Sequence, residues 1–267
     1  MGVENKISNL SRREFITSTA SGLILSGVAG TATLAQNAPK ADATPRRRLR
    51  VQFSPGGHTA PLQIYAMFET PLFRDLDSVV LPHPNAFDSV NSDTPPDVIV
   101  TNDWLTTEWP QRDKDNMVKH LNAGRGLVVL HHAVGTNDAW QWWTEQVVGC
   151  HLYDTADPGM KTQARLKQFP IQVLTPVGNH PIVRGIEPFE LPWDETFPNM
   201  WISPKATVLF KTDDPSFRDP TVGWIGPPLP KGRVVCFSPG HTRYVCQDPN
   251  FRHVVHNMIL WTGGQLA

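Results

Sequence analysis

The feature that most constrains this chain is a set of short apolar runs, each too short for a helix and each closed by a turn. Leu49-Arg50-Val51-Gln52-Phe53 alternates apolar and polar residues, the period of a strand. Asp97-Val98-Ile99-Val100-Thr101 and Gly126-Leu127-Val128-Val129-Leu130 are almost continuously apolar. Such runs suit strands of a parallel sheet buried on both faces. Between them, Gln111 to Asn122 is expected to be a helix, with Gly124 just past its end. Strand, helix and strand in this order make βαβ units. A short helix is expected at Pro61–Phe68, a Trp-rich one at Ala139–Val148 ended by Gly149, and a closing one at His253–Trp261. Further strands are expected at Pro170–Leu174 and Ala206–Lys211. Thr221–Ile225 and Arg233–Phe237 flank Gly-Pro-Pro-Leu-Pro-Lys-Gly and read as a hairpin-like pair. The economical fold is one α/β domain with a mostly parallel sheet.

Charge narrows the function classes. Lys+Arg number 24 against 25 Asp+Glu in 267 residues, a net charge of −1. That balance excludes a strongly basic nucleic-acid binder and an acidic tail protein. Hydrophobic residues at 40% and charged residues at 18% are a globular composition. The 25 prolines imply many loops, where function concentrates.

The N-terminus reads as an address. Ser11-Arg12-Arg13-Glu14-Phe15-Ile16 is a twin-arginine pattern, and a modestly apolar stretch follows to Leu34. The pattern resembles a Tat export signal over residues 1–35, with Thr33-Leu34-Ala35 near the cut. Residues 36–48 are expected to be a linker and 49–267 the domain. This similarity implies passage through the Tat translocase as a folded cargo, to the periplasm or beyond. No apolar run is long and pure enough for a stable membrane span. Export would permit a disulfide between Cys236 and Cys246, but three reduced, buried thiols, Cys150 included, are the preferred expectation.

The ten histidines then become informative. In open α/β sheets, ligands bind beyond the carboxyl ends of the strands. After Phe53 comes Ser54-Pro55-Gly56-Gly57-His58; after Val100, Thr101-Asn102-Asp103; after Leu130, His131-His132; after Phe237, Ser238-Pro239-Gly240-His241-Thr242. Three of these four places end in histidine, so one shared pocket is expected. His132 should point the other way if its strand continues. Of the adjacent acids Asp194 and Glu195, at most one should face a pocket. His151 is a further loop candidate, and His180 fits a helix-entry turn and a direct role about equally well. Of Trp140, Trp142 and Trp143, two are expected in the core and one, taken as Trp143, on a pocket wall. His83, His120, His253 and His256 are expected on a loop or on helix surfaces, without function.

Taken in order, these stretches resemble the ThuA-like trehalose-utilisation family. The matching parts are Gly56-Gly57-His58, Leu121 through His131, Trp142 through Gly149, His151, Asn179-His180-Pro181-Ile182, Asp194-Glu195, Lys231 through Thr242, and Ile259-Leu260-Trp261. The resemblance implies a flavodoxin-like, class I glutamine amidotransferase-like sheet with helices on both faces. An amidotransferase needs a cysteine nucleophile at the elbow where His131 stands, so thiol acyl transfer is not supported. Serine hydrolysis lacks its elbow too. The family is associated with disaccharide catabolism through 3-keto sugars. A ketone acidifies the neighbouring C2 proton, and its removal permits isomerisation or elimination. His131, His241 and Glu195 are therefore expected as catalytic groups or as ligands of a divalent metal such as zinc. His58, Gly57, Asp194, Trp143 and His151 are expected to contact a carbohydrate substrate. No nucleotide cofactor is expected. The competing possibility is a sugar-binding protein without chemistry.

Overall fold

The computed structural model describes residues 47–57, 60–83, 85–103, 108–152, 165–167, 172–198 and 200–267. The expected signal peptide, nearly all of the linker, and His58 lie outside the described residues.

The first half of the domain runs β1 (Arg50–Gly56), α1 (Ala60–Met67), β2 (Asp77–Val80), β3 (Val98–Asp103), α2 (Gln111–Asn122) and β4 (Gly126–Leu130). A 3-10 turn at His131–Gly135 and a π-helical segment at Trp142–Val148 follow. Then come β5 (Cys150–His151), β6 (Arg165–Lys167), β7 (Gln172–Pro176), β8 (Phe189–Leu191), β9 (Asp194–Thr196), β10 (Trp201–Ile202) and β11 (Thr207–Thr212). The chain closes with β12 (Thr221–Ile225), β13 (Arg233–Phe237), α3 (Arg243–Gln247) and α4 (Pro249–Thr262).

Nine strands form one sheet in the order β2-β1-β3-β4-β13-β12-β11-β7-β8. The pairs from β2 through β13 are parallel and those from β13 through β8 antiparallel. Only β7 and β12 therefore oppose the common strand direction. The expected pairing of Thr221–Ile225 with Arg233–Phe237 is present as an antiparallel ladder.

Alternation along the central strands explains why helices cover both faces. Val98, Val100, Val128, Leu130, Val235 and Phe237 join the apolar cluster that holds Ile64 of α1 and Val254 and Met258 of α4. Ile99, Leu127, Val129, Val234 and Cys236 join the opposite cluster, with Met117 of α2 and Trp143 and Val147 of the π-helical segment. A run apolar at every position is what two such faces require. All three cysteines are free and buried.

Three histidines depart from expectation: His83, His120 and His256, the last buried in α4 with its Nε2 3.1 Å from the Asp75 carboxylate. The buried stripe of α2 is Asp113, Asn116, Met117, His120 and Leu121, at helical spacing but largely polar. His120 is thus inside, and its Nε2–H donates to the Gly126 carbonyl over 2.8 Å. The His83 side chain is also enclosed, stacked on Trp109 with ring centroids 5.7 Å apart. His253 is exposed, as expected.

Burial lowers the pKa of His120 to about 4, below the usual 6.5. Between these values the unfolded chain binds a proton that the folded chain refuses, so stability falls as pH falls through this window. Replacing His120 by Gln removes that proton. Comparing denaturant melts at about pH 7.5 and about pH 5, the wild type should lose about 2 kcal/mol more stability than His120→Gln.

Candidate functional site

The site is built where β4 stops. Leu130 is the last extended residue, and His131 turns into the left-handed region at φ 49. A histidine pays about 1–2 kcal/mol for that conformation, which something around it must offset. The Nδ1–H of His131 donates to the Ser238 carbonyl over 2.8 Å, at the end of the neighbouring β13. The 3-10 turn that follows brings His132 round beside His131, with ring centroids 3.9 Å apart. The expectation that His132 points away fails for this reason: the strand does not continue through it.

Glu195, in β9, meets both histidines. Its Oε2 lies 3.1 Å from Nε2 of His131, 2.6 Å from Nε2 of His132 and 3.0 Å from Nδ1 of His241. Nε2 of His131 and Nδ1 of His241 are 3.0 Å apart. The four ligand atoms of His131, His132, Glu195 and His241 all lie within 4.8 Å of one another. The His131 side chain is 1% exposed, whereas Glu195 and His241 reach solvent at 13% and 15%.

Asp194 does a different job. It neighbours Glu195 on a strand, so the two side chains leave on opposite sides. Its carboxylate is fully buried and accepts the backbone N–H groups of Gly240 at 2.8 Å, His241 at 2.8 Å and Thr242 at 3.2 Å. The Thr242 hydroxyl donates to the Trp193 carbonyl at 2.6 Å and accepts from the Val245 N–H to cap α3. These bonds fasten the segment carrying His241 to the segment carrying Glu195. Gly240 sits at φ 131, where a Cβ would lie 3.5 Å from that of His131. Glycine suits both the conformation and the close approach.

Burial sets the electrostatics, with hydrogen bonds opposing it. Burial lowers the His131 pKa to about 3, so the ring is neutral at physiological pH despite Glu195 beside it. Burial works against the charge of Glu195 too, but the three imidazoles around it, His131, His132 and His241, outweigh burial and hold its pKa far below the carboxylate range. Burial disfavours charge on His241, yet Glu195 raises its pKa above the ordinary value. Burial lifts Asp194 to about 7, against the lowering pull of its backbone donors.

The structure therefore brings His131, His241 and Glu195 together and adds His132, which the sequence reading set aside. Asp194 faces backbone donors on the far side of β9 rather than the cluster. Trp143, expected on a pocket wall, is fully buried, stacked parallel to Trp140 and edge-on to Trp109. The correction has a simple cause: its helical turn presses that side against the sheet. His151 faces Asp138 at 3.3 Å and the Trp201 ring, and is not one of the four. Gly57 is exposed at φ 76 at the end of β1. Nδ1 of His180 accepts from the Ile182 N–H, which fits the turn.

A family profile described as "ThuA: Trehalose utilisation" matches residues 93–262. The chain belongs to the ThuA family. Its structure is similar to that of a ThuA-like protein from Parabacteroides merdae, with a TM-score of 0.66 at 14% identity, covering 82% of this chain and 91% of that one. A ThuA-like protein from Bacteroides uniformis gives 0.59 at 16% identity, covering 84% and 94%. Part of a β-galactosidase from Rahnella sp. R3 is also similar, at 0.52 and 10% identity, covering 78% of this chain and 31% of that one. No curated protein matches the sequence. The fold is the α/β arrangement of ThuA-like proteins.

The Asp194 latch can be tested directly. Asp194→Ala leaves three backbone donors without an acceptor and should lower the unfolding free energy by at least about 2 kcal/mol. Thr242→Val removes only hydroxyl contacts and should cost less than about 1.5 kcal/mol. Denaturant melts of both variants would show whether the order holds.

Proposed function

We propose that this ThuA-family protein is an exported carbohydrate-processing enzyme that acts on 3-keto-glycosides. The reaction is removal of the proton beside the ketone, leading to isomerisation at C2 or elimination of the anomeric substituent. A divalent metal held by His131, His132, Glu195 and His241 assists it.

One observation carries the metal reading. The Nδ1–H of His131 is committed to a carbonyl, which can only accept. A neutral ring then turns the lone pair of Nε2 toward the Glu195 carboxylate 3.1 Å away. A lone pair facing a carboxylate oxygen is repulsive unless a proton or a cation lies between them. Three imidazoles and one carboxylate form a donor set that suits zinc or a similar ion. The three nitrogens lie 2.6–3.1 Å from the Glu195 oxygen and all four donors within 4.8 Å of one another, so one ion could meet them together. The Ser238 carbonyl is the kind of outer partner that fixes the tautomer of a metal-binding histidine.

Bound there, the cation would stabilise the negative charge that develops on the substrate oxygen when the C2 proton leaves. The chain's own groups supply the rest. Glu195 and His241 are the members that reach solvent, so a substrate meets them first and one of the two takes up the C2 proton. Buried His131 orients the cluster through Ser238. The family membership supports a carbohydrate as ligand, and the twin-arginine pattern at Arg12-Arg13 supports export.

Protein purified without chelator should contain about one zinc or similar ion per chain, and His131→Ala should lose it. Turnover of a 3-keto-glucoside should fall at least about 100-fold in His131→Ala and His241→Ala. Wild-type rates in either variant would remove this site from the reaction. For export, Arg12→Lys combined with Arg13→Lys should leave the precursor in the cytoplasm on cell fractionation. Normal delivery of that double variant would rule out the Tat route.

A further inference from the structure

Two aromatic rings flank the His/Glu cluster in the chain, and the fold brings them together. Trp193 precedes Glu195 by two residues, and Tyr244 follows His241 by three. Their ring centroids are 6.4 Å apart with planes inclined by 40°. Tyr244 is 54% exposed, a large apolar surface left in water in the first turn of α3. Trp193 stands immediately before β9, and Asp194, its neighbour, holds the backbone of residues 240–242. The backbone beneath both rings is pinned, because the Trp193 carbonyl accepts from the Thr242 hydroxyl. The ring pair is therefore held to the same latch that sets Glu195 against His241. The buried Nε1–H of Trp193 has no acceptor among the described residues.

Trp140 and Trp143 do not offer such a surface. Trp143 is fully buried, and the Lys114 ammonium lies over Trp140 at 5.3 Å.

We propose that Trp193 and Tyr244 form an aromatic platform that receives the aglycone side of a glycoside and favours a flat ring there, either aryl or a second sugar. A Tyr or Trp face offers a large apolar area with a polar edge, which matches the C–H face and hydroxyl rim of a pyranose and the face of an aryl group. This inference rests on the carbohydrate reading of the site, and it adds which part of the substrate is selected and by which residues.

The test is calorimetric binding to the metal-loaded full chain, with p-nitrophenyl β-D-glucoside and methyl β-D-glucoside as probes. Wild type should bind the aryl probe at least about 10-fold more tightly than the methyl probe. Tyr244→Ala and Trp193→Leu should bring the two within about 2-fold, while Tyr244→Phe keeps the preference. Zinc content should be the same in Tyr244→Ala as in wild type, because the platform holds no ligand atom. A wild type without aryl preference, or a Tyr244→Ala variant that retains it, would overturn the platform. Metal content and 3-keto-glucoside turnover of the wild type report separately on the proposed reaction. If both are absent while the aryl preference still depends on Tyr244, the reaction fails and the platform stands.

Discussion

Everything about the cluster depends on β4 stopping at Leu130. Continued as a strand, residues 131 and 132 would place their side chains on opposite faces of the sheet, and no two histidines could share a carboxylate. The left-handed residue at 131 breaks that alternation, and the turn after it gathers both rings on one side. The conformation is unfavourable for a histidine in isolation. It is over-determined here by the Ser238 carbonyl, by Gly240 packed against the Cβ, and by Phe197 beside the ring. Strain retained at a point where three segments converge is characteristic of a working site rather than of a folding requirement.

Two carboxylates adjacent in sequence illustrate how a strand divides labour. Glu195 carries its negative charge among three imidazole nitrogens, and it reaches solvent. Asp194 is sealed from water and spends its oxygens on backbone donors. Period two alone sends them to different fates. One presents chemistry, and the other fixes where its partner histidine stands.

Much of this architecture was legible in the residues. The apolar runs marked the central strands because burial on both faces leaves no polar position to confuse the pattern. The bounds of α2 were legible from its stop signal, Gly124, which indeed sits at φ 81. His131 and His241 stood out because each follows an apolar run at the end where such sheets bind ligands. What could not be read was tertiary. Nothing in a His-His pair announces a left-handed first residue, so the side on which His132 lies is not legible. The polar stripe of α2 looks like a solvent face until Asn116 is seen accepting from the Asn91 amide and His120 bonded to the Gly126 carbonyl. Trp143 carried helical spacing that core and pocket wall use alike, and only packing distinguishes them. Asp194 had no local signal for its role, since its acceptors' partners lie about one-sixth of the chain away.

The separations along the chain have a further consequence. His131 and Glu195 are 64 residues apart, and His131 and His241 are 110 apart. No local stretch holds more than two of the four donors, so no fragment of the chain carries a rudimentary version of the cluster. Contacts of such long range form late, after the sheet has assembled. Any ion that uses all four donors thus recognises the finished domain and not the nascent chain, and its affinity adds directly to the stability of the folded state. Occupancy of this cluster would report that folding is complete.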